Sequence, residues 1–161
     1  MSTTQIELER KFLIAKMPEN LSQYKKQEIA QAYIAIDDTL GTATRIRSKD
    51  GVYILNTKSP NPDGKGVIET EEFVDKSAYD QALENNVGFV VTKTRHLIPY
   101  GDLTIELDVF HNKLEGLVFA EIEFPNETIA DEFTPPDWLG KEVTDDKNYA
   151  NKNLCRNGMP A

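Results

Sequence analysis

The chain has 161 residues, of which 39% are hydrophobic and 28% are charged, and its formal net charge is −9. These values are typical of one globular domain over residues 1–161 and exclude a disordered chain, and no run of about 18 apolar residues predicts a membrane-spanning helix. The acidic surplus argues against a general nucleic-acid-binding protein, because such proteins normally carry a basic excess.

Short strands bounded by turn residues dominate the predicted elements. Eight strands are expected, over residues 5–14, 29–36, 43–49, 52–58, 67–74, 89–98, 103–110 and 117–124. The sequences Asp50-Gly51 and Gly101-Asp102 predict tight hairpin turns, so consecutive strands should pair in antiparallel fashion. Helices are expected over residues 18–25, 76–86, 127–133 and 146–155, with Asp75, Asn126, and Thr144 or Asp145 as the N-caps of the last three.

Like-charged residues two positions apart recur along the predicted strands. The first strand carries Glu7, Glu9 and Lys11, and side chains at this spacing point to one face of a strand. Later strands carry similar charges: Arg45 and Arg47, Lys58, Glu69 and Glu71, Lys93 and Arg95, Glu106 and Asp108, and Glu121 and Glu123. Like charges on one face repel, so either acidic and basic strands face each other or a ligand and metal ions lie between them.

The opposite faces of these strands are apolar, as Leu103, Ile105 and Leu107 show for the seventh strand. Helices outside the sheet could cover the apolar faces, and the charged faces would then line a polar interior. We therefore expect an α+β, mainly antiparallel fold, an eight-stranded closed β-barrel with a few helices packed outside, because closure removes the edge strands. Eight strands enclose room for one small ligand.

The combination of basic and acidic walls indicates a metal-bound polyphosphate. Arginine forks match phosphate oxygens, and clustered carboxylates bind hard divalent cations such as Mg²⁺, which also bridge to phosphates. The alternative is an interior in which the charges only pair with one another. Buried ions without partners are costly, so the choice depends on whether every charge finds a protein partner.

Taken in order, these motifs resemble the triphosphate tunnel metalloenzymes, or CYTH superfamily, in its small bacterial, inorganic-triphosphatase-like form. The family's E-x-E-x-K hallmark corresponds to Glu7-Leu8-Glu9-Arg10-Lys11. Similarity continues through Gln31-Ala32-Tyr33, Arg45-Ile46-Arg47, Asn56-Thr57-Lys58, Glu69-Thr70-Glu71, Lys93-Thr94-Arg95, Glu106-Leu107-Asp108, Glu121-Ile122-Glu123, and residues 137–144 and 146–149. Val67 departs from the pattern, because many members carry arginine two residues before the second E-x-E.

The resemblance implies metal-dependent hydrolysis of a triphosphate, with inorganic tripolyphosphate as the expected substrate and pyrophosphate and phosphate as the products. It implies triphosphate binding by Lys11, Arg45, Arg47, Lys58, Lys93 and Arg95. It implies binding of two Mg²⁺ or Mn²⁺ ions by Glu7, Glu9, Glu69, Glu71, Asp108, Glu121 and Glu123. Catalytic roles are expected for Glu9, Lys11, Tyr33, Glu71 and Lys93. Tyr33 could equally be a packing residue. Lys147 could lie near the tunnel mouth or could be an ordinary residue of the helix surface.

Other functions fit the same residues. A class IV adenylate cyclase has a similar tunnel, although the His-Phe pair that such enzymes often carry near the N-terminus is absent here. Thiamine triphosphate or a nucleoside triphosphate could replace tripolyphosphate as the substrate. A non-catalytic polyphosphate-binding module would keep the basic residues but would not need the acidic pairs.

The expected partner is a small polyphosphate, with neither nucleic acid nor a membrane. A homodimer is compatible with the sequence but not required by it. The single Cys155 cannot form an internal disulfide, and the first eleven residues contain no apolar signal core. Both features favour the reducing cytoplasm.

Overall fold

A computed structural model describes residues 2–160 and contains one antiparallel sheet that closes on itself. Its eight barrel strands are β1 Ser2–Ile14, β2 Lys25–Asp37, β3 Thr42–Lys49, β4 Val52–Pro60, β5 Val67–Val74, β6 Val87–Tyr100, β7 Leu103–Phe110 and β8 Val118–Phe124. The strands follow the order β5-β4-β3-β2-β6-β7-β8-β1, and pairing of β1 with β5 closes the ring. The predicted eight-stranded closed barrel is therefore confirmed.

The start of β2 and one additional strand are the largest differences from the predicted strands. β2 begins at Lys25 rather than at residue 29. The polar residues 25–28 belong to the strand because they pair with the far end of β6, where Lys25 lies opposite Leu97. A ninth strand, β9 (Leu139–Glu142), pairs with the end of β1. Only four residues long, β9 is too short for alternation to reveal it in the sequence.

The strand registers place the predicted charges on the inner face of the barrel. Glu9 lies opposite Glu123 and Lys11 lies opposite Glu121 in the pairing of β1 with β8. Alternate residues of β1 and β8, such as Phe12 and Ile122, point outward and are buried. The period of two in the sequence therefore separates a charged interior from an apolar exterior.

Two helices cover apolar patches on the outside of the barrel. α1 (Lys76–Leu83) is capped by the Asp75 carboxylate, as predicted, and its buried Tyr79 packs on Ala32 and Ile46. α2 (Glu127–Glu132) is capped by the Asn126 side chain, also as predicted. The segment after α2 adds Phe133 and Trp138 to the apolar cluster on β1, β7 and β8.

The third helix, α3 (Asn151–Asn157), closes one end of the barrel instead of packing outside it. Its Leu154 and Cys155 are fully buried against Tyr33, Phe110 and Phe119, which lie on the inner faces of their strands. The expected helix over residues 146–155 is divided, because a 3₁₀ turn over Lys147–Tyr149 ends at an extended Ala150. Its cap is Asp146, not Thr144 or Asp145. The expected helix over residues 18–25 is reduced to a 3₁₀ turn over Leu21–Gln23.

The barrel wall has a gap beside the middle of β1. Pairing of β1 with β5 ends at Glu7 opposite Val67, and pairing with β9 on the same edge begins only at Phe12 opposite Glu142. Residues 8–11 therefore pair with β8 on one side and with neither strand on the other.

Candidate functional site

A cavity of about 900 Å³ occupies the end of the barrel near α3 and extends to the gap beside β1. Its inner wall includes Glu7, Glu9 and Lys11, whereas Leu8 and Arg10 of the opposite strand face line it at the gap. Residues of both faces contact one cavity because the space passes around the open edge of β1. The remaining polar lining includes Tyr33, Arg45, Asn56, Lys58, Lys65, Glu142, Thr144, Asn151 and Lys152.

Two buried arginines on β3 have no carboxylate partner among residues 2–160. Arg45 is 4% exposed, and its Nε makes no hydrogen bond there. Arg47 is 7% exposed and donates from Nε and Nη2 only to the Gln31 amide oxygen, at 3.1 and 2.8 Å. Burial and the nearby Arg45 guanidinium lower the pKa of Arg47 to about 9. Uncompensated buried charge of this kind calls for an anionic ligand.

The bases on β6, in contrast, are neutralised by acids on β7. Asp108 accepts hydrogen bonds from Arg95 Nε and Nη2 at 2.8 and 3.0 Å, and its Oδ2 lies 2.8 Å from Lys93 Nζ. Arg95 also binds Glu106 at 3.0 Å. Burial would raise the pKa of Asp108, but attraction by Arg95 and Lys93 outweighs burial and lowers it. Burial lowers the pKa of Lys93 to about 8, which brings this pKa close to neutral pH.

Three carboxylates at the junction of β1 and β8 form a potential metal site. One oxygen from each of Glu7, Glu9 and Glu123 lies within 4.8 Å of the others. Burial and the Glu121 carboxylate raise the pKa of Glu9 well above its ordinary value. Although Glu123 is an exposed residue, partial burial of its carboxyl together with the nearby Glu106 and Glu7 raises its pKa to about 8. Carboxylates this close repel one another unless protonated or bridged by a cation, so their oxygens fit a hard divalent ion.

The other predicted metal ligands, like Glu7 itself, have partners within the protein. Lys58 Nζ lies 2.7 Å from Glu7 and 3.7 Å from Glu69, and the Asn56 amide donates to Glu69 at 3.0 Å and to Glu71 at 3.4 Å. Burial opposes ionisation of Glu69, but Lys58 and the amide bonds lower its pKa to about 2. A metal role for Glu69, Glu71, Asp108 and Glu121 therefore stays a prediction, without a grouping like that of the first three.

Lys11 joins the acidic and basic parts of the site. Its Nζ donates to the Tyr149 carbonyl at 2.8 Å, lies 3.8 Å from Glu121, and sits 4.6 Å from the Phe119 ring centroid. Burial would raise the pKa of Glu121, but Lys11 and Lys93 hold it well below its ordinary value. The Lys11 and Lys93 ammonium groups therefore favour the ionised form of the Glu121 carboxyl.

Several polar residues of the barrel interior were assigned no role from the sequence, and Asn56 among them lines the cavity. Gln31 and Asn56 are buried on inner faces, and each bonds a charged neighbour. Their places in the i, i+2 pattern, two positions from Tyr33 and Lys58, were the available signal. Lys152 of α3 lines the cavity, whereas Lys147 is exposed outside it. Tyr33 lines the cavity and also packs in the apolar cluster, so both of its expected roles remain open.

The opposite mouth of the barrel has a different character. A second cavity of about 760 Å³ is lined by Leu97, Tyr100 and Leu103 around the carboxylates Glu106 and Glu123. Val67, where many family members carry arginine, lies at the first cavity. Lys49 is the basic residue of the second cavity, so most of the inward-facing cations lie in the middle of the barrel and at the α3 end. No helix within residues 2–160 has the length and apolar character needed to cross a membrane.

Comparisons with known proteins agree with this arrangement. The CYTH domain model matches residues 5–152. The chain is 36% identical to a curated inorganic triphosphatase of Nitrosomonas europaea, over 92% of this chain and 96% of the relative. It is 32% identical to one of Acetivibrio thermocellus, over 94% of each.

Solved structures show the same fold. The crystal structure of an inorganic triphosphatase superposes with a TM-score of 0.69 at 33% identity and covers 98% of both chains. A putative adenylate cyclase of Bacillus halodurans superposes with a TM-score of 0.61 at 23% identity, over 80% of this chain and 85% of that one, which shows likeness of fold alone. The ordered charge motifs, the barrel and the family match lead to one assignment: the chain belongs to the CYTH family.

Proposed function

We propose that this protein is a metal-dependent triphosphatase that hydrolyses inorganic tripolyphosphate to pyrophosphate and phosphate. The observation that carries the proposal is the pair of buried arginines, Arg45 and Arg47, that have no carboxylate partner within residues 2–160 and lie on the same barrel interior as a three-carboxylate group. A structural barrel interior would pair its charges, whereas this one leaves cations for an anion and anions for a cation. The relatives that are inorganic triphosphatases, at 36% and 32% identity, support the same reaction.

The triphosphate would lie along the basic inner faces of the barrel. The proposed ligands of its oxygens are Lys11, Arg45, Arg47, Lys58, Lys93 and Arg95. Arg45 and Arg47 can offer free guanidinium donors, whereas Arg95 and Lys93 must share theirs with Asp108. The strongest binding is therefore expected from β3, since within residues 2–160 its arginines have no carboxylate that competes with the anion.

The metal would be held by Glu7, Glu9 and Glu123, and Glu69, Glu71, Asp108 and Glu121 are proposed for a second ion. Bound Mg²⁺ or Mn²⁺ supplies charge neutralisation on the phosphates and lowers the pKa of an attacking water. The protein's own part is mainly positioning, because phosphoryl transfer needs little covalent chemistry from side chains. Lys93, with its pKa near 8, is suited to place a proton on the leaving oxygen. Tyr33 would limit the terminal phosphate, and Glu71 would help to orient water.

Phosphate release from tripolyphosphate, ATP and thiamine triphosphate tests this proposal when each is assayed with Mg²⁺, Mn²⁺ or EDTA. Fast, metal-dependent release from tripolyphosphate is expected, with loss of turnover in Glu9→Gln. The matched control is Glu72→Gln, which removes an exposed carboxylate of β5 outside the cavity and should behave as wild type. Cyclic AMP and pyrophosphate from ATP, without hydrolysis of tripolyphosphate, would replace the triphosphatase by a cyclase. Tight tripolyphosphate binding without turnover would favour a binding module.

The remaining proposals concern the binding partner, the oligomeric state and the cellular location. A small polyphosphate is the proposed partner, nucleic acid is not expected, and a homodimer stays a prediction. The cytoplasm is the proposed location, because Cys155 is a free, buried thiol with no second cysteine to oxidise with.

A further inference from the structure

Lys11 is held from three directions by the C-terminal segment that follows β8, over residues 142–149. Its backbone N–H donates to the Thr144 hydroxyl at 3.0 Å, and its carbonyl accepts from the Val143 N–H at 2.8 Å. Its side-chain Nζ donates to the Tyr149 carbonyl at 2.8 Å. No other cation proposed to bind the triphosphate donates from its side chain to a backbone carbonyl among residues 2–160.

The Thr144 hydroxyl accepts the backbone hydrogen bond that a carbonyl of a neighbouring strand would otherwise accept. Lys11 lies in the stretch of β1 where β5 has ended and regular pairing with β9 has not begun. Its N–H would face the gap, and an unbonded backbone donor there would be costly. Thr144 therefore completes the barrel wall at Lys11, the inward-facing cation of the E-x-E-x-K motif.

The direction of the Thr144 hydroxyl is fixed by its second contact. It donates to Glu142 Oε2 at 2.6 Å, so it can only accept from Lys11. Glu142 is in turn held by Arg10, which donates to its two carboxylate oxygens at 2.9 and 2.7 Å. Arg10 lies on the outer face of β1, and it also donates to the Ala130 carbonyl.

We propose that Thr144 is a positioning residue for Lys11. Its hydrogen bond with the Lys11 N–H fixes the position of the Lys11 backbone in β1, and the Tyr149 carbonyl fixes the direction of the Lys11 ammonium group. The proposal rests on the proposed function for its kinetic consequence, because Lys11 is assigned there to bind the triphosphate. The geometric part, however, concerns the protein alone and can be tested without any substrate.

The kinetic test is a double-mutant cycle with Thr144→Val, which keeps the shape and removes the hydrogen bonds, and Lys11→Met. In the wild-type background Thr144→Val should lower kcat/KM for tripolyphosphate by roughly ten- to a hundredfold, since small misplacements of binding groups have effects of that size. Against Lys11→Met it should change kcat/KM by less than about twofold, because its effect acts through the lysine. Thr144→Ser, which retains the hydroxyl, should restore most of the activity.

Amide hydrogen exchange provides the readout that needs no turnover. The Lys11 amide should exchange at least about tenfold faster in Thr144→Val than in wild type or Thr144→Ser, because the removed bond protects it. Thr57→Val is the matched control, since the Thr57 hydroxyl lies 3.4 Å from that of Thr44 on the outer face and should leave both measurements unchanged.

Two results would overturn the positioning role. One is unchanged exchange of the Lys11 amide in Thr144→Val, and the other is an equal loss of kcat/KM with and without Lys11. If the wild type released no phosphate from any triphosphate, the proposed function would fail, and the exchange comparison would still decide whether Thr144 holds Lys11.

Discussion

Arg45→Met is expected to stabilise the ligand-free protein and to weaken triphosphate binding, so one substitution should move two measured quantities in opposite directions. Arg45 is 4% exposed, its Nε has no partner among residues 2–160, and Arg47 is a second cation close to it. Burial of an unpaired charge opposes folding, whereas methionine is a flexible apolar side chain that can fill the same space.

The size of both effects follows from the same contacts. Replacement of buried charges by apolar groups stabilises proteins by about 1–4 kcal/mol, and a gain of about 2 kcal/mol raises the melting temperature of a chain this long by about 4–8 °C. Hydrogen bonds from a charged group contribute about 1.5–3 kcal/mol, so their loss should weaken tripolyphosphate binding roughly ten- to a hundredfold. Burial and Arg45 both lower the pKa of Arg47, so this pKa should rise in the variant.

Thermal unfolding without ligand and calorimetric titration with tripolyphosphate measure the two effects. Lys76→Met is the control, because Lys76 is an exposed cation of α1 paired only with Asp80, and its loss should change neither quantity appreciably. A lower melting temperature for Arg45→Met, together with unchanged tripolyphosphate affinity, would show that Arg45 is a structural ion and would refute the reasoning.

Four further outcomes are expected. Glu9→Gln should reduce phosphate release to background while circular dichroism and the melting temperature show a folded protein. Without metal, the free energy of unfolding should fall as the pH rises from about 4.5 to about 8. The reason is that folded Glu123, whose pKa is raised to about 8, keeps a proton that the unfolded chain releases near pH 4.5. In urea titrations, Glu123→Gln should make the free energy of unfolding depend less on pH. Gly66→Ala should destabilise the fold by about 1–3 kcal/mol, since residue 66 has φ +87° and a Cβ would lie 2.5 Å from a β1 carbonyl oxygen. Cys155, buried and with its pKa raised to about 11, should react with iodoacetamide only on unfolding.

The charged interior could be predicted because it depends on the simplest property of a strand. Side chains two residues apart share a face, so Glu7, Glu9 and Lys11 had to lie together once β1 was identified. The repeat of this spacing on about eight antiparallel strands then favoured a closed barrel, because closure removes the edge strands. The structure confirms the barrel and the inward direction of these residues.

The C-terminal third of the wall could not be predicted, because long-range contacts rather than local pattern determine it. Residues 146–155 have the composition of a helix, but the Lys11 ammonium captures the Tyr149 carbonyl, and α3 begins only after Ala150. Gly88, at φ +81°, lets α3 approach so closely that a Cβ there would lie 2.0 Å from the Cys155 carbonyl oxygen. No periodicity in the sequence reports on either contact.

The distribution of paired and unpaired charge also indicates where along the barrel the triphosphate lies. Lys93 and Arg95 already have Asp108 as a fixed anion, so a phosphate placed there gains attraction only against that carboxylate. In the described part of the chain, Arg45 and Arg47 have no such competitor, and the carboxylate group that fits a cation lies on β1 and β8. We therefore propose that the triphosphate is held mainly by β3 and by Lys11 of β1, and that the ion-paired Lys93 of β6 contributes a proton to the leaving oxygen rather than a free charge for binding.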